Sequence, residues 1–289
     1  MPIVTIDPQR CKKDGLCVRI CEKVFEQKLE GSVPVVTHEE HCNSCGHCVL
    51  ICPAGAITQK ECPDEKVHPV NREILPSYES LREMIASRRS IRNFQKRDVE
   101  TEVIEKVIGG ACFAPSAKNT QSTQFLVIQE HNLLRGIASA TAEWLGKTSR
   151  QLKNPFLRKL YLLRGEKSAE EVTRWISQFE LIVERMRRGS DPIIRNAPVL
   201  LLFHSDQSIA FAEANANLAV QNAMLIASSL GLGTLYTGYV VAASGRDKTI
   251  QRLLKLPKKH KVYGGLALGY PEITFSKWID RNPAVITWR

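Results

Sequence analysis

The sequence predicts an α+β protein in two parts: a small cysteine-rich module, then a larger domain in which helices alternate with short strands. Three observations predict it. Seven of the nine cysteines fall between Cys11 and Cys52. Residues 61–71 then carry two prolines and no periodicity, which reads as a connection. From Tyr78 onward, apolar residues recur at helical spacing in some segments and gather in short continuous runs in others. At 289 residues the chain has room for one sizeable core and a small module.

The module is organised around Cys42-Asn43-Ser44-Cys45-Gly46-His47-Cys48-Val49-Leu50-Ile51-Cys52-Pro53, which reads C-x2-C-x2-C-x3-C-P. Three thiols at every third position, on a loop kept open by Gly46, can converge on three corners of an iron–sulfur cubane. The fourth cysteine, Cys52, leaves at the start of a helical turn toward a second cluster. A second run is therefore expected. Cys11, Cys17 and Cys21 form it, with Asp14 where a complete run would carry a cysteine. Zinc is the alternative for paired C-x2-C, but it wants four ligands in one tetrahedron and has no use for three thiols at unbroken spacing followed by Cys-Pro. Apolar pieces at residues 3–6 and 33–36 complete two pseudo-repeated halves, each a strand, a cluster loop and a helical turn.

This module resembles the two-cluster bacterial ferredoxin over residues 1–60. The resemblance implies that Cys21, Cys42, Cys45 and Cys48 hold one 4Fe–4S cluster, and that Cys11, Cys17 and Cys52 hold the other with Asp14 at its fourth corner. A carboxylate is a harder ligand than thiolate and makes a labile corner, so the second cluster is 4Fe–4S with Asp14 bound or 3Fe–4S without it. A module this small has little core, and its clusters supply much of its folding free energy.

The net charge of +10 invites a nucleic-acid reading. Ligand thiolates and cluster cores together lower it to about +7. The remaining excess gathers in residues 150–188 and 255–261, with neither an aromatic-interleaved RNA motif nor a zinc-finger spacing, so nucleic acid is not an expected partner. No apolar run approaches the roughly 18 residues of a membrane span, and the first residues lack the regions of a signal peptide. Thiols that must stay reduced to take up clusters fit the same expectation, a cytoplasmic protein. The His38-Glu39-Glu40-His41 stretch does not place its histidines at i, i+4 and reads as a turn. Cys62 falls outside both cluster runs.

The second domain opens on a helix through Leu81, Met84 and Ile85 that runs into Arg88-Arg89-Ser90-Ile91-Arg92-Asn93-Phe94. Guanidinium forks match phosphate oxygens, so this is a compact anion site or a solvated basic patch. An amphipathic helix over residues 99–111 is expected to end at Gly109-Gly110. Ala114-Pro115-Ser116-Ala117-Lys118-Asn119-Thr120-Gln121 follows, then a strand over residues 124–128. The pair of segments resembles the nitroreductase superfamily of FMN flavoproteins across residues 78–289. So do Asn196-Ala197-Pro198 with its following strand, a long helix over residues 208–230, residues 231–238 and the tail Arg281-Asn282-Pro283. The implied fold is a mixed sheet flanked by helices in a homodimer with FMN at the interface. The implied domains are 1–70 for the iron–sulfur part, 71–77 for the linker and 78–289 for the FMN part. The long helix is small and apolar nearly all round, which predicts close burial.

The resemblance also assigns roles. Arg88 and Arg281 would hold the FMN phosphate with Arg89 beside them, Ser90 would touch the ribityl or phosphate, and Arg92 would face the pyrimidine edge as the residue that tunes the flavin. Pro115, Ser116, Asn119 and Gln121 would reach the cofactor from the partner subunit, and backbone at Tyr236, Thr237 and Gly238 would reach flavin N5 or O4. Gln121-Ser122-Thr123 stands where many relatives carry Pro-Trp, which bears on the substrate pocket. Residues 144–191 are a long helical insertion expected to wrap the partner or lid the flavin, or to form a surface hairpin. Cys112, in an apolar run, is expected to be packed.

The expected function is an FMN-dependent oxidoreductase in which the clusters exchange electrons with FMN and a small electrophile, a nitro compound, quinone or activated alkene, is reduced by hydride from N5. Electron flow in the reverse direction is chemically equal. No G-x-G-x-x-G follows a strand, which leaves NAD(P)H stacked on the flavin or an external carrier as donor. The alternative is a non-enzymatic electron-transfer or redox-sensing iron–sulfur flavoprotein.

Overall fold

Two glycines in the left-handed region start the two helices of the cysteine-rich part: Gly15 (φ 68°) before α1 (Leu16–Ile20) and Gly46 (φ 75°) before α2 (His47–Ile51). Any side chain is strained there, so glycine is the residue that lets the loop turn into the helix. The pseudo-repeat extends to the thiols. Cys17 and Cys48 are each the second residue of their helix, and Cys21 and Cys52 each cap its end. The protein is described by a computed structural model over residues 3–163 and 168–289, the side chains of Leu160 and Tyr161 aside. It divides into two units, one running up to Leu75 and including Lys118–Thr120, the other formed by Pro76–Ala117 and Gln121–Arg289.

In the first unit β1 (Val4–Ile6) pairs antiparallel with β4 (Ile57–Gln59), Val4 opposite Gln59, and β2 (Phe25–Glu26) pairs antiparallel with β3 (Val35–Val36), Phe25 opposite Val36. The buried set is Val4, Cys17, Val24, Phe25, Cys48 and Ile57. With so few apolar side chains enclosed, the two buried thiols are part of what fills the centre. The expected turn at residues 38–41 is a short 3-10 segment, Glu39–His41. Another, Arg72–Ile74, lies inside the expected linker.

The second unit is built on a sheet with strand order β5 (Gln124–Ile128), β6 (Val199–Asp206), β8 (His260–Gly269), β7 (Gly233–Tyr236), all antiparallel among the described residues. Its parallel component is one bridge, Ser90 to Thr234. β6 alternates strictly. Leu200 and Leu202 enter the core beneath α5 (His131–Lys153), α7 (Ala169–Arg187), α9 (Gly238–Ser244) and α10 (Lys248–Leu254), while Val199, Leu201 and Phe203 enter the core beneath α4 (Thr101–Cys112) and α8 (Ala212–Ser229). A strand buried on both faces reads as a continuous apolar run, which is what residues 199–203 are. α3 (Tyr78–Ser87) starts at Ser77, whose side chain accepts from the Ser80 N–H, and α6 (Pro155–Leu162) follows α5 directly. No helix among the described residues is long and apolar enough to cross a membrane.

Three expectations change. α4 does not end at Gly109-Gly110 but continues to Cys112, because Gly110 is where α8 approaches: a Cβ there would lie 2.3 Å from Ile226 Cγ1. Close helix packing outweighs the roughly 1 kcal/mol that glycine costs in a helix. α8 is buried on one side only, through Ala212, Ala216, Ala219, Ala223 and Ala227, while Ala214 and Leu218 stay exposed. Sheet and α4 cover a single face of it in one chain. Cys112 is exposed, since the helix carries it past the apolar stripe that buries Ala111. As for the insertion, Phe179 and Ile182 of α7 are buried in the same core as Leu145 of α5, so it is not a surface hairpin; its residues 164–167 lie outside the described residues.

Candidate functional site

In the first unit the thiols gather in two groups, each drawing on both runs. Burial pushes the Cys48 thiol up to about 11, with the neighbouring Cys42, Cys21 and Cys45 adding to it against the opposing backbone hydrogen bond at Val49. Cys11, Asp14, Cys17 and Cys52 line one small cavity. Burial raises the Cys17 thiol as well, and Cys11 and Asp14 are among its charge neighbours. The antiparallel return of β4 onto β1 and the matching helix starts bring Cys21 to the second run and Cys52 to the first. Backbone N–H groups already point at sulfur: Lys13 donates to Cys11 Sγ at 3.4 Å and Ala56 to Cys52 Sγ at 3.3 Å. Donors of this kind stabilise the charge of a thiolate ligand. Asp14 accepts the Leu16 N–H at 3.1 Å through one carboxylate oxygen.

Sequence reasoning missed one member of this neighbourhood. Cys62 bridges back to Gln59, and its Sγ lies 2.9 Å from where a Cβ on Gly46 would stand. Burial raises its thiol, and Cys45 is the next contribution. Nothing in its spacing from the two runs marks it. Asn119, which groups with this unit, donates its side-chain amide to the carbonyls of Ser44 at 2.9 Å and Asn43 at 3.3 Å.

In the second unit residues 88–94 are clamped by backbone. Ile91 N–H donates to Thr234 on one side, and on the other Gln95 donates to Tyr270 while Glu272 donates to Asn93. Arg88 caps the end of α3. Its guanidinium is held below the ordinary arginine range by burial first, then by the nearby Arg281 and Arg89. The tail reaches α3 through Trp278, whose Nε1 donates to the Glu83 carboxylate at 3.0 Å while Arg82 lies 5.0 Å above its ring. None of Arg88, Arg89 and Arg281 makes an ion pair among the described residues. Three cations held this way call for an anion.

A second convergence, not foreseen from sequence, surrounds Arg92. Arg195 is held below its ordinary range by burial first, then by Arg92 and Arg185, with Asp191 opposing. The Asp191 carboxylate is already engaged, accepting the N–H groups of Ile193, Ile194 and Asn196 at 2.9 to 3.0 Å. That turn puts Arg195 and Asn196 in the left-handed region (φ 64° and 53°). Arg195 Nε is buried with no hydrogen-bond partner among the described residues, and so is Thr237 Oγ1. Leaving such atoms unpaired costs about 1–3 kcal/mol each, which a bound polar group would recover.

The remaining predicted residues occupy two further places. Tyr236 and Gly238 line a cavity of about 960 Å³ walled by α5, α7 and α9. Thr237 lies between them, buried, its N–H donating to Gly265 at 2.8 Å. Pro115, Ser116 and Gln121 line another, smaller cavity with Asn215, which accepts the Ala117 N–H at 3.0 Å; the Gln121 N–H donates to Ser116 Oγ.

Residues 85–270 match the nitroreductase family and residues 3–53 match the 4Fe-4S dicluster domain. The chain is 26% identical to a chloronitrobenzene nitroreductase of Comamonas testosteroni over 224 residues, covering 73% of this chain and 92% of that one. Over 61 residues it is 44% identical to a ferredoxin of Methanothermococcus thermolithotrophicus, covering 20% of this chain and 98% of that one. A nitroreductase of Bacteroides fragilis, whose crystal structure holds FMN, shares the fold with a TM-score of 0.53 and 19% identity, covering 72% of this chain and 98% of that one. The chain belongs to the nitroreductase family and is an oxidoreductase of that type preceded by a 4Fe–4S dicluster ferredoxin domain.

Proposed function

We propose that the protein is an FMN-dependent oxidoreductase of the cytoplasm, in which iron–sulfur clusters of residues 1–70 exchange electrons with FMN held by residues 78–289, residues 71–77 being the linker. The observation that carries this reading is the gathering of Arg88, Arg89 and Arg281 with no acidic partner among the described residues, in a chain that also groups its thiols four and three-plus-carboxylate. The residues present fit both groups. Buried thiols with N–H donors aimed at sulfur suit clusters, and the unpaired guanidiniums, with the orphaned Arg195 Nε and Thr237 Oγ1, suit a phosphorylated, hydrogen-bonding cofactor.

When bound, FMN would supply the chemistry that joins single-electron exchange with clusters to the two-electron, proton-coupled reduction of a nitro compound, quinone or activated alkene, the proton coming from solvent. The chain's own part is orientation and electrostatics. Arg88, Arg89 and Arg281 hold the phosphate, Ser90 the ribityl chain, and Arg92 with Arg195 supplies positive charge at the pyrimidine edge. Tyr236, Thr237 and Gly238 border the reacting end of the ring. Pro115, Ser116, Asn119 and Gln121 approach from a second copy of the chain. The exposed side of α8 and the exposed Phe211 and Leu218 support a homodimer, since they leave an apolar face that one chain does not cover. Cys21, Cys42, Cys45 and Cys48 ligate one 4Fe–4S cluster. Cys11, Cys17 and Cys52 ligate the other, with Asp14 as its labile fourth ligand.

The test is anaerobic purification with iron, sulfide and FMN counted per chain, followed by reoxidation of the reduced protein with nitro compounds, quinones and enones. FMN bound, and reoxidised by one of these, with about eight irons if Asp14 ligates or about seven if it does not, is the expected result. Clusters without FMN after reconstitution would overturn the flavin reading. FMN that no acceptor reoxidises would leave an electron-transfer or sensing protein.

A further inference from the structure

The cavity walled by α5, α7 and α9 is larger than a small nitroarene or quinone requires. At about 960 Å³ it lies at the upper end of sites that enclose drug-sized ligands. Its inner wall is apolar and aromatic. Leu145 and Phe179 are buried, Trp175 and Phe179 lie with centroids 6.4 Å apart at 25°, and Tyr239 meets Phe179 edge-on at 6.0 Å. Trp144 also lines it. Such rings offer flat faces to another ring system.

The polar lining is sparse and carries one sign. Gln151, Gln178 and Arg246 are exposed residues that line the cavity, and no acidic residue among the described residues lines it. Arg246 makes no ion pair among the described residues; its NH1 donates to the Ala242 carbonyl one helical turn back, at 3.0 Å. Burial raises the Tyr239 hydroxyl above the ordinary tyrosine range. Tyr236 and Gly238, which border the cavity, belong to the segment assigned to the reacting end of the flavin.

From these observations we infer that the substrate is an extended aromatic acid: two or more fused or linked rings lying against Trp144, Trp175, Phe179 and Tyr239, an anionic group at the rim beside Arg246, and the reducible group at the end bordered by Tyr236 and Gly238. This rests on the flavin reading for the reaction, but not for the binding. Helices α5 and α7, which supply most of the wall, are then the specificity elements of the domain.

The experiment uses the full chain loaded with clusters and FMN, and has a binding arm independent of turnover. Fluorescence titration compares anilinonaphthalenesulfonate with its uncharged parent, phenylnaphthylamine, in the parent protein, Arg246→Gln and Trp175→Ala. The sulfonate should bind the parent protein more tightly by about fivefold, the size of effect an exposed ion pair supports. Arg246→Gln should bring that ratio to about one, and Trp175→Ala should weaken both probes. In the turnover arm, dithionite-reduced protein is reoxidised by nitrobiphenyl carboxylate or by nitrobiphenyl, and the rate ratio should follow the same pattern. Equal affinity for the two dyes, or a ratio that Arg246→Gln does not change, would overturn the inference. An Arg246-dependent ratio in binding without reoxidation by either nitro compound would support the aromatic-acid site while removing the reductase reading.

Discussion

Cys17 and Cys48 are buried with Val4, Val24, Phe25 and Ile57, so in the cysteine-rich unit candidate ligands and core are the same residues. In the sheet unit, Leu200, Leu202, Val199, Leu201 and Phe203 fill two cores, and Arg88, Ser90, Arg92 and Arg281 belong to neither. The cofactor proposed for the first unit would then be structural as well as chemical. That proposed for the second would be a guest on a fold that apolar packing completes by itself. The contrast follows from size: a short chain segment cannot enclose enough apolar surface, so metal–sulfur bonds take over.

Removing iron should expose this difference most strongly. With a chelator under reducing conditions, amide hydrogen exchange over residues 3–59 should approach that of an unfolded chain while β6 and β8 stay protected. Protection kept in both units would break the comparison. The converse lesion is Leu202→Ala, at a fully buried position between strand and helices. It should cost about 2–5 kcal/mol in denaturant unfolding of the sheet unit and leave iron per chain unaltered. Smaller again, Arg88→Gln should weaken FMN binding about tenfold to a hundredfold, the range of a charge-assisted contact, with little change in thermal unfolding. Calorimetric titration of flavin into the flavin-free protein reads the first, and a large drop in unfolding midpoint would make Arg88 a structural residue instead. The mildest change is Cys62→Ser: iron per chain should stay the same, because neither proposed ligand set includes it. Loss of iron would promote Cys62 to a ligand and sharpen the view that this unit's thiols are its core.

Legibility in the sequence divides along similar lines. The two cysteine runs and the continuous apolar run of β6 could be read because each depends on residues a few places apart. The readings that changed were those in which distant packing competes with local preference. Gly109-Gly110 resembles a helix end, but at Gly110 the absent side chain admits Ile226. The alanine-rich α8 resembles a helix buried all round, but one chain supplies a cover for only one side of it. Arg195 and Cys62 carried no local signal at all. Each matters through neighbours far away in sequence, Arg92 in one case and Gly46 in the other.

By itself the sequence determined the chemistry available: thiol spacing for iron–sulfur clusters, a basic segment suited to a phosphate, and the helices and strands whose periodicities declare which face is apolar. These are short-range properties, set by backbone geometry within a turn or a strand pair. Only the tertiary structure decided which groups meet. It brought Cys52 to Cys11 and Cys17 and, with Trp278 anchored on Glu83, Arg281 to Arg88, meetings the family resemblances implied but no local pattern showed, and it set α5 and α7 around an aromatic cavity with a single charged residue in its lining among the described residues. The physical reason is that such encounters depend on how whole elements pack, a sum over many weak apolar contacts that no local pattern encodes.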